Sequence, residues 1–201
     1  MLKHVAIAAF LASLIPVAAV AQAAPQPLHD GAASVAGAVE RRDAAIFKDV
    51  AKQVTTYSRF TVFDDVQASV TEGVVTLYGK VTMPYKRDDL ARRVGTVQGV
   101  KQVVNKIGVL PVSQFDDELR YRIARAIYGD PSFWHYASMA NPPIHIVVQD
   151  GRVTLTGVVN NEVEKMLARS LATGFNAFSV DSQLKTDAEA RAEMEKVESR
   201  Q

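Results

Sequence analysis

A twelve-residue pattern occurs twice in this chain, as VTEGVVTLYGKV at 70–81 and as VQDGRVTLTGVV at 148–159, with seven identical positions. In each copy an acidic residue and a glycine separate two runs of alternating apolar residues. Glycine adopts positive φ at little steric cost, so the pattern predicts a tight β-hairpin turning at Glu72-Gly73 and again at Asp150-Gly151. Repetition of a whole hairpin indicates two domains of one fold in tandem.

The periodicity around the first hairpin completes a small domain. Apolar residues at helical spacing predict a helix over residues 43–58, and alternation predicts a half-buried strand over 60–70. After the hairpin we expect a helix over 82–99, with Thr82 able to cap its start, and a strand over 100–109. The element order is helix, strand, strand, helix, strand.

The same order begins again at Ser113, which resembles the start of a capping box with Asp116 as its acid. Residues 133–143 form an irregular, aromatic-rich connection that the first copy lacks. After the second hairpin we expect a helix capped by Asn161 and a closing strand over 178–186. The predicted inner face of that helix consists of Val163, Met166, Leu167, Ser170 and Leu171.

These patterns predict an α+β protein of two tandem small domains, each α-β-β-α-β with a three-stranded mixed sheet and two helices packed on one face. Four glycines are predicted to be structural positions of the hairpins: Gly73, Gly79, Gly151 and Gly157. The open sheet face and edges are then available to the other copy or to a partner.

The N-terminus predicts export. Lys3 gives a basic start, 5–20 is an apolar run, and Ala21 and Ala23 form a small-residue cleavage pattern, so residues 1–23 are predicted to be a cleaved signal peptide. The alternative is an uncleaved membrane anchor. We expect the exported chain in the periplasm. It is not expected to be a lipoprotein, because the chain has no cysteine to carry the lipid.

The other boundaries follow from composition. The predicted segments are a flexible leader at 24–42, a first domain at 43–112, a second domain at 113–186 and a polar tail at 187–201. Val35 and Val39 share the phase of the first helix, so that helix could instead extend backwards into the leader. For the tail, a solvated helix and a disordered segment are the two alternatives.

The charge balance restricts the partners. The chain has 23 basic and 22 acidic residues, and loss of Lys3 with the signal leaves it neutral, which argues against nucleic acid as a partner. One predicted helix is locally basic, and Lys86, Arg92 and Arg93 are its candidates for contact with anionic headgroups. The alternative is that these residues form an ordinary solvated helix face.

The first helix of the second copy and the connection after it form a better candidate surface. Tyrosine and tryptophan favour the membrane–water boundary, and arginine suits phosphate. The candidate residues are Tyr121, Arg122, Arg125, Tyr128, Phe133, Trp134 and Tyr136. The alternative is that the aromatic residues of the connection fill the core.

Catalysis finds little support in the sequence. Only His135 and His145 lie in the predicted domains, one in the irregular connection and one on the outward side of a strand, without spacing that would add metal ligands. No nucleophile, phosphate-loop or dinucleotide motif is present. We therefore expect no enzyme activity, no cofactor, no metal site and no small-molecule substrate.

The hairpins at Glu72–Gly79 and Asp150–Gly157 resemble those of the BON domain family, as does the passage from Leu90 to Asn105. The resemblance covers nearly all of 43–186, although Gly174-Phe175-Asn176-Ala177 departs from the family's entry into the last strand. It implies a non-catalytic exported module that binds phospholipid surfaces or envelope partners and protects the envelope under osmotic stress. We expect peripheral contact with anionic phospholipid, or alternatively a scaffold that binds another envelope protein through its sheet.

Overall fold

The computed structural model describes residues 30–198. The predicted signal peptide lies outside these described residues. The first domain comprises helix α1 (Asp30–Thr55), strands β1 (Asp65–Thr71) and β2 (Val74–Val81), helix α2 (Pro84–Gly95) and strand β3 (Gln102–Val109). The sheet order is β1-β2-β3, with β1 antiparallel and β3 parallel to the central strand.

The second domain repeats this architecture with additions. Its elements are α3 (Gln114–Tyr128), a 3₁₀ turn (Pro131–Phe133), α4 (Trp134–Ala137), β4 (Ile144–Gln149), β5 (Arg152–Val159), α5 (Glu162–Thr173), β6 (Ser179–Ser182), β7 (Lys185–Thr186) and α6 (Asp187–Glu198). Strands β6 and β7 both pair in parallel with β5. The predicted α+β class with two tandem domains is confirmed.

One face of each sheet packs against helices. The side of β2 predicted to be buried contains Val75, Leu77 and Val81, which have no exposed surface, whereas Tyr78 on the other side is exposed. In the second domain the corresponding core joins β4 and β5 to α3 through Ile123, Ile127 and other apolar residues. Each domain therefore has its own hydrophobic core, as alternation in the hairpins predicts.

Both hairpins turn through two consecutive residues with positive φ. The φ angles are 52° at Glu72, 81° at Gly73, 52° at Asp150 and 71° at Gly151, which is the signature of a type I′ turn. Only the second position of each turn is glycine, so Glu72 and Asp150 adopt a conformation that L-residues disfavour. Additional interactions must hold these turns.

A helix-borne carboxylate supplies that interaction in each domain. Asp43 of α1 accepts hydrogen bonds from the N–H groups of Glu72 and Gly73, at 2.5 and 2.9 Å. Asp116 of α3 does the same for Asp150 and Gly151, at 2.9 and 2.8 Å. Asp116 thus does not complete a capping box. Its N–H donates to the Ser113 hydroxyl, while its carboxylate fixes the turn.

Gly79 and Gly157 serve close backbone approach. Their φ angles are 118° and 117°. A Cβ atom would lie 2.2 Å from the Asp65 carbonyl oxygen at the first position and 1.8 Å from that of Pro143 at the second. No side chain fits at either place, which explains why both copies of the pattern contain this glycine.

Several predicted boundaries are wrong. Helix α1 begins at Asp30, so the segment expected to be a flexible leader is helical from there, as the backward extension proposed. Strand β1 starts at Asp65 and not at Phe60, because Asp64 accepts a hydrogen bond from the Thr61 N–H and closes a turn before it. Helix α2 ends at Gly95, four residues before the predicted Gly99.

The second domain departs further from prediction. The connection after α3 is not irregular, since it contains the 3₁₀ turn and α4. The closing strand is split, with Gln183 and Leu184 between β6 and β7. On α5 the predicted inner face is wrong at Val163 and Met166, which are exposed, as is Ser170. The face toward the sheet consists of Leu167, Ala168, Leu171 and Ala172.

The two domains meet along the edge of β4. The N–H of Ile146 donates to the carbonyl of Val62 at 2.7 Å, so the turn before β1 pairs with an edge strand of the other sheet. Phe63 from that turn contacts the edge of Tyr121, with ring centroids 5.2 Å apart. One sheet edge that could accept a partner is thus occupied by the other copy.

We predict that Asp116→Ala destabilises the protein by about 3 kcal/mol, because the buried N–H of Gly151 and the partly buried N–H of Asp150 lose their acceptor. Urea unfolding would measure this loss. Glu118→Ala, which removes an exposed carboxylate from the same helix, is the matched control and should cost less than about 1 kcal/mol. Equal losses in the two variants would show that the carboxylate does not hold the turn.

Candidate functional site

The predicted surface on α3 and α4 is partly exposed. Trp134 is 66 % exposed and Tyr121 is 64 % exposed. Arg125 is also exposed and takes part in no ion pair within the described part of the chain. Arg122 is exposed as well, but its guanidinium pairs with Glu118 one turn earlier on α3. We call Tyr121, Arg125 and Trp134 the aromatic–arginine surface.

Three of the predicted aromatic contacts lie inside the protein or are half-buried. Phe133 has no exposed surface and Tyr136 is buried, so the core alternative holds for both, and neither is available to a membrane. Tyr128 is half-buried and its hydroxyl donates to the Ile144 carbonyl at 2.5 Å. Burial raises the pKa of Tyr128, which keeps the phenol neutral.

Tyr136 organises a polar network. Its hydroxyl donates to Glu164 Oε2 at 2.7 Å, and the N–H of Asn160 donates to both groups. Burial and the hydrogen bond to Glu164 raise the pKa of Tyr136 to about 12. Burial alone would raise the pKa of Glu164, but the bonds from Tyr136 and Asn160 outweigh it and lower that pKa. The network ties α4 to the start of α5.

Lys86 is not a surface residue. Its side chain is 4 % exposed, and Nζ lies 2.6 Å from Asp64 Oδ2 and 2.8 Å from the Thr82 hydroxyl. Burial would raise the pKa of Asp64, but the bonds from Lys86, Thr82 and Thr61 lower it. Thr82 therefore serves this ion pair and does not cap α2, whose N-cap Met83 makes no side-chain bond. The predicted headgroup contact through Lys86 is wrong.

The other two arginines of the basic helix are committed to local contacts. Arg92 is exposed but pairs with Asp89. Arg93 is half-buried, donates to the Gln53 carbonyl at 3.2 Å and lies over the ring of Tyr57. The helix α2 therefore presents no uncompensated group of cations.

The two histidines have different neighbours. His145 does not point to open solvent as predicted, because Phe60 of the first domain lies against it with ring centroids 5.4 Å apart. Its Nδ1 is buried without a hydrogen-bond partner among the described residues. His135 contacts Asn160 at 3.2 Å. Within residues 30–198, no group of three or more potential ligands is placed to hold a metal ion.

The sequence interpretation missed one exposed aromatic pair. Phe178 is 79 % exposed and Phe115 is 50 % exposed, with ring centroids 6.5 Å apart beside the turn at Gly151. The Phe178 N–H donates to the Gly151 carbonyl as the Lys101 N–H donates to that of Gly73. Aligning the two copies through the last strand places Phe178 at the position of Lys101. Because lysine is usually exposed, this alignment could have identified the exposed pair.

The fold defines an α+β protein of two repeated domains in tandem. The BON domain profile matches residues 42–111 and 116–188, and the chain belongs to the BON domain family. Membership in this family suggests a non-catalytic, envelope-associated module. A comparison with curated proteins found no match.

Two solved structures of CdsD, a structural protein of the Type III secretion system of Chlamydia trachomatis, are similar in part. The first is its C-terminal domain, with 14% sequence identity and a TM-score of 0.29, and the match covers 72% of this chain and 66% of that one. For the second the identity and TM-score are again 14% and 0.29, over 76% and 68% of the respective chains. The chain spans about two thirds of the length of each.

In the part of the chain that the structure describes, no helix combines the length and the apolar character needed to cross a bilayer.

We predict that Lys86→Ala costs about 3 kcal/mol of folding free energy, because it leaves Asp64 buried without its cation. Arg92→Ala removes a positive charge from the same helix but only an exposed ion pair, and should cost at most about 1 kcal/mol. Chemical unfolding of both variants measures the difference. If the two losses are alike, Lys86 is not a structural residue.

We also predict that acidification weakens the contact between the domains. Burial lowers the pKa of His145, although Asp65, Asp64 and the Thr61 carbonyl favour its protonation. The unfolded chain therefore takes up this proton first as the pH falls, so the contribution to stability is complete above about pH 6.5 and is lost below it.

Thermal unfolding at about pH 7.5 and about pH 5.5 tests this prediction, since these values bracket the ordinary histidine pKa. His145→Gln should reduce the difference in Tm between the two conditions. A pH dependence that survives in His145→Gln would contradict the assignment.

Proposed function

We propose that this chain is a non-catalytic periplasmic module that associates peripherally with anionic phospholipid surfaces and protects the envelope under osmotic stress. The exposure of Trp134 carries the proposal. It is the chain's only tryptophan, and two thirds of its side chain is exposed between the buried residues Phe133 and Tyr136. The exposed Trp134 therefore lies in an ordered helix, α4.

The short helix that contains Trp134 is held on both sides. Phe133 belongs to the core of the second domain, and Tyr136 is bonded to Glu164 on α5. Helix α4 also packs against α3. An indole ring presented in this way suits the membrane–water boundary, where its apolar ring and its N–H are both satisfied.

Arginine supplies the charge selectivity in this proposal. Tyr121 and Arg125 are four residues apart on α3 and so share one face of that helix. Arg122 can exchange its exposed partner Glu118 for a phosphate at little cost, because such pairs contribute at most about 1 kcal/mol. Each basic residue near an anionic membrane contributes about 1 kcal/mol.

The location in the periplasm and the osmotic role rest on other support. The predicted signal peptide at residues 1–23 favours export, and the family resemblance favours an envelope function under stress.

The second candidate function is a scaffold that binds another envelope protein through its sheet. It is favoured by the open face of the first sheet, where Tyr78 on β2 is 40 % exposed and pairs in register with Lys106 on β3. No helix of the first domain packs on that face, since the helices cover the side of Val75 and Leu77. A protein partner could bind this surface without lipid.

The fluorescence of Trp134 tests the proposed function directly. We expect the mature chain, residues 24–201, to show a blue shift with phosphatidylglycerol vesicles but not with phosphatidylcholine vesicles, because the indole enters the interface only where arginine is attracted. Added salt should reverse the shift.

Variants locate the surface. Arg125→Gln should weaken vesicle binding about fivefold, the equivalent of about 1 kcal/mol, whereas Arg169→Gln on α5 removes the same charge elsewhere and should have no effect. Trp134→Ala should reduce cosedimentation. If the folded protein binds neither vesicle type, the lipid function is wrong. Crosslinking through the Tyr78 face would then be the next experiment.

A further inference from the structure

An open groove lies between helix α6, helix α5 and the split last strand of the second domain. The groove measures about 480 Å³ and is lined by Lys165 of α5, Ser182 and Lys185 of the split strand, and Glu189 and Glu193 of α6. A volume of this order accommodates a small ligand. The first domain has no helix of this kind after its own last strand, because the chain passes from β3 to α3.

Two ion pairs connect this helix to α5 and β7. From Asp187 to Glu193 no side chain is fully buried. Lys165 Nζ lies 3.1 Å from both carboxylate oxygens of Glu189, and Lys185 pairs with Glu193. Lys165 is half-buried, but Lys185 and both carboxylates are exposed, so each pair is weak and exchangeable.

A capping box starts the helix, and Glu189 belongs both to this box and to the groove contacts. The Thr186 N–H donates to Glu189 Oε2 at 2.7 Å, and the Glu189 N–H donates to the Thr186 hydroxyl at 3.2 Å. Glutamine can replace glutamate in a capping box. The carboxylate charge of Glu189 can therefore be removed without removing the cap.

We propose that the groove beneath α6 is a binding site for a phosphate-bearing anion and that α6 is its internal competitor. The carboxylates of Glu189 and Glu193 occupy the two lysines that such an anion would contact. The Ser182 hydroxyl also lines the groove, and its oxygen is buried without a hydrogen-bond partner in the described part of the chain. A hydroxyl and two ammonium groups are donors that suit phosphate oxygens.

The composition of α6 fits the role of a competitor. Its sequence contains five acidic and two basic residues. Its detachment would remove negative charge from the groove and free both lysines at once. Lys165 would still have Glu162 at 3.5 Å, so Lys185 is the more fully released of the two.

This site is distinct from the aromatic–arginine surface and does not depend on it. The proposed lipid contact uses α3 and α4, whereas the groove uses α5, β7 and α6. Either could exist without the other, and variants at Trp134 separate them.

Neutralising the competitor tests the proposal. In the mature chain, residues 24–201, Glu189→Gln combined with Glu193→Gln should bind inorganic pyrophosphate about fivefold more tightly than the unmodified protein, since two exposed ion pairs no longer oppose it. Calorimetric titration measures the affinity. Adding Lys165→Gln and Lys185→Gln to this double variant should abolish the gain. Glu195→Gln combined with Asp187→Gln removes the same charge from α6 without touching either lysine and is the matched control.

Two comparisons identify the source of the phosphate. A gain for pyrophosphate indicates a soluble phosphate ligand, and a gain only for phosphatidylglycerol vesicles indicates a lipid headgroup; both support the site. In a Trp134→Ala background the gain should persist even if the aromatic–arginine surface does not bind lipid. Unchanged affinity for both probes, or a gain that survives loss of both lysines, would overturn the proposal.

Discussion

The bond between a helix carboxylate and a hairpin turn is the constraint on which both domains depend. Each turn requires positive φ at a residue that is not glycine, and a single aspartate on a helix that precedes the hairpin accepts both turn N–H groups. The contact fixes the position of the helix against the hairpin turn. Once Asp43 or Asp116 is bound, the apolar stripe of its helix is held in register over the buried side of the hairpin. The pairing therefore couples a local strain to the packing of the whole domain.

The two copies diverge where a second polar contact is needed. At the start of the helix after the hairpin, the first domain has Lys86 bonded to Asp64, and the second has Glu164 at the equivalent position, bonded to Tyr136. The charge is positive at Lys86 and negative at Glu164. Each residue nevertheless bonds to the segment that precedes the first strand of its domain. A tyrosine can reach Glu164 only because the longer connection forms α4, and that same short helix exposes Trp134. The residue that fastens the connection and the exposed tryptophan thus lie on the same short helix.

The limits of sequence interpretation follow from the same physics. The hairpins, their glycines and the strand faces were predictable because they depend on local φ and two-residue alternation. The burial of Lys86 was not predictable, because its partner Asp64 lies 22 positions earlier and helical spacing does not indicate that contact. Val163 and Met166 were assigned inward by period alone, whereas small residues, Ala168 and Ala172, allow α5 to approach the sheet. His145 was assigned outward because the covering residue, Phe60, belongs to the other copy.

The distribution of charge decides how such a protein can bind anionic surfaces. The chain is nearly neutral, and many of its cations already have local partners: Lys86, Arg87, Arg92, Arg120, Arg122, Lys165 and Lys185 all form ion pairs. Long-range attraction is therefore weak, and attachment must rest on short-range contacts and on exchange of exposed pairs. Both proposed sites lie in the second domain. One contains the exposed aromatic rings, and the other contains the lysines with exchangeable partners. The first domain contains a buried ion pair, and the turn before β1 is bonded to β4 of the second domain.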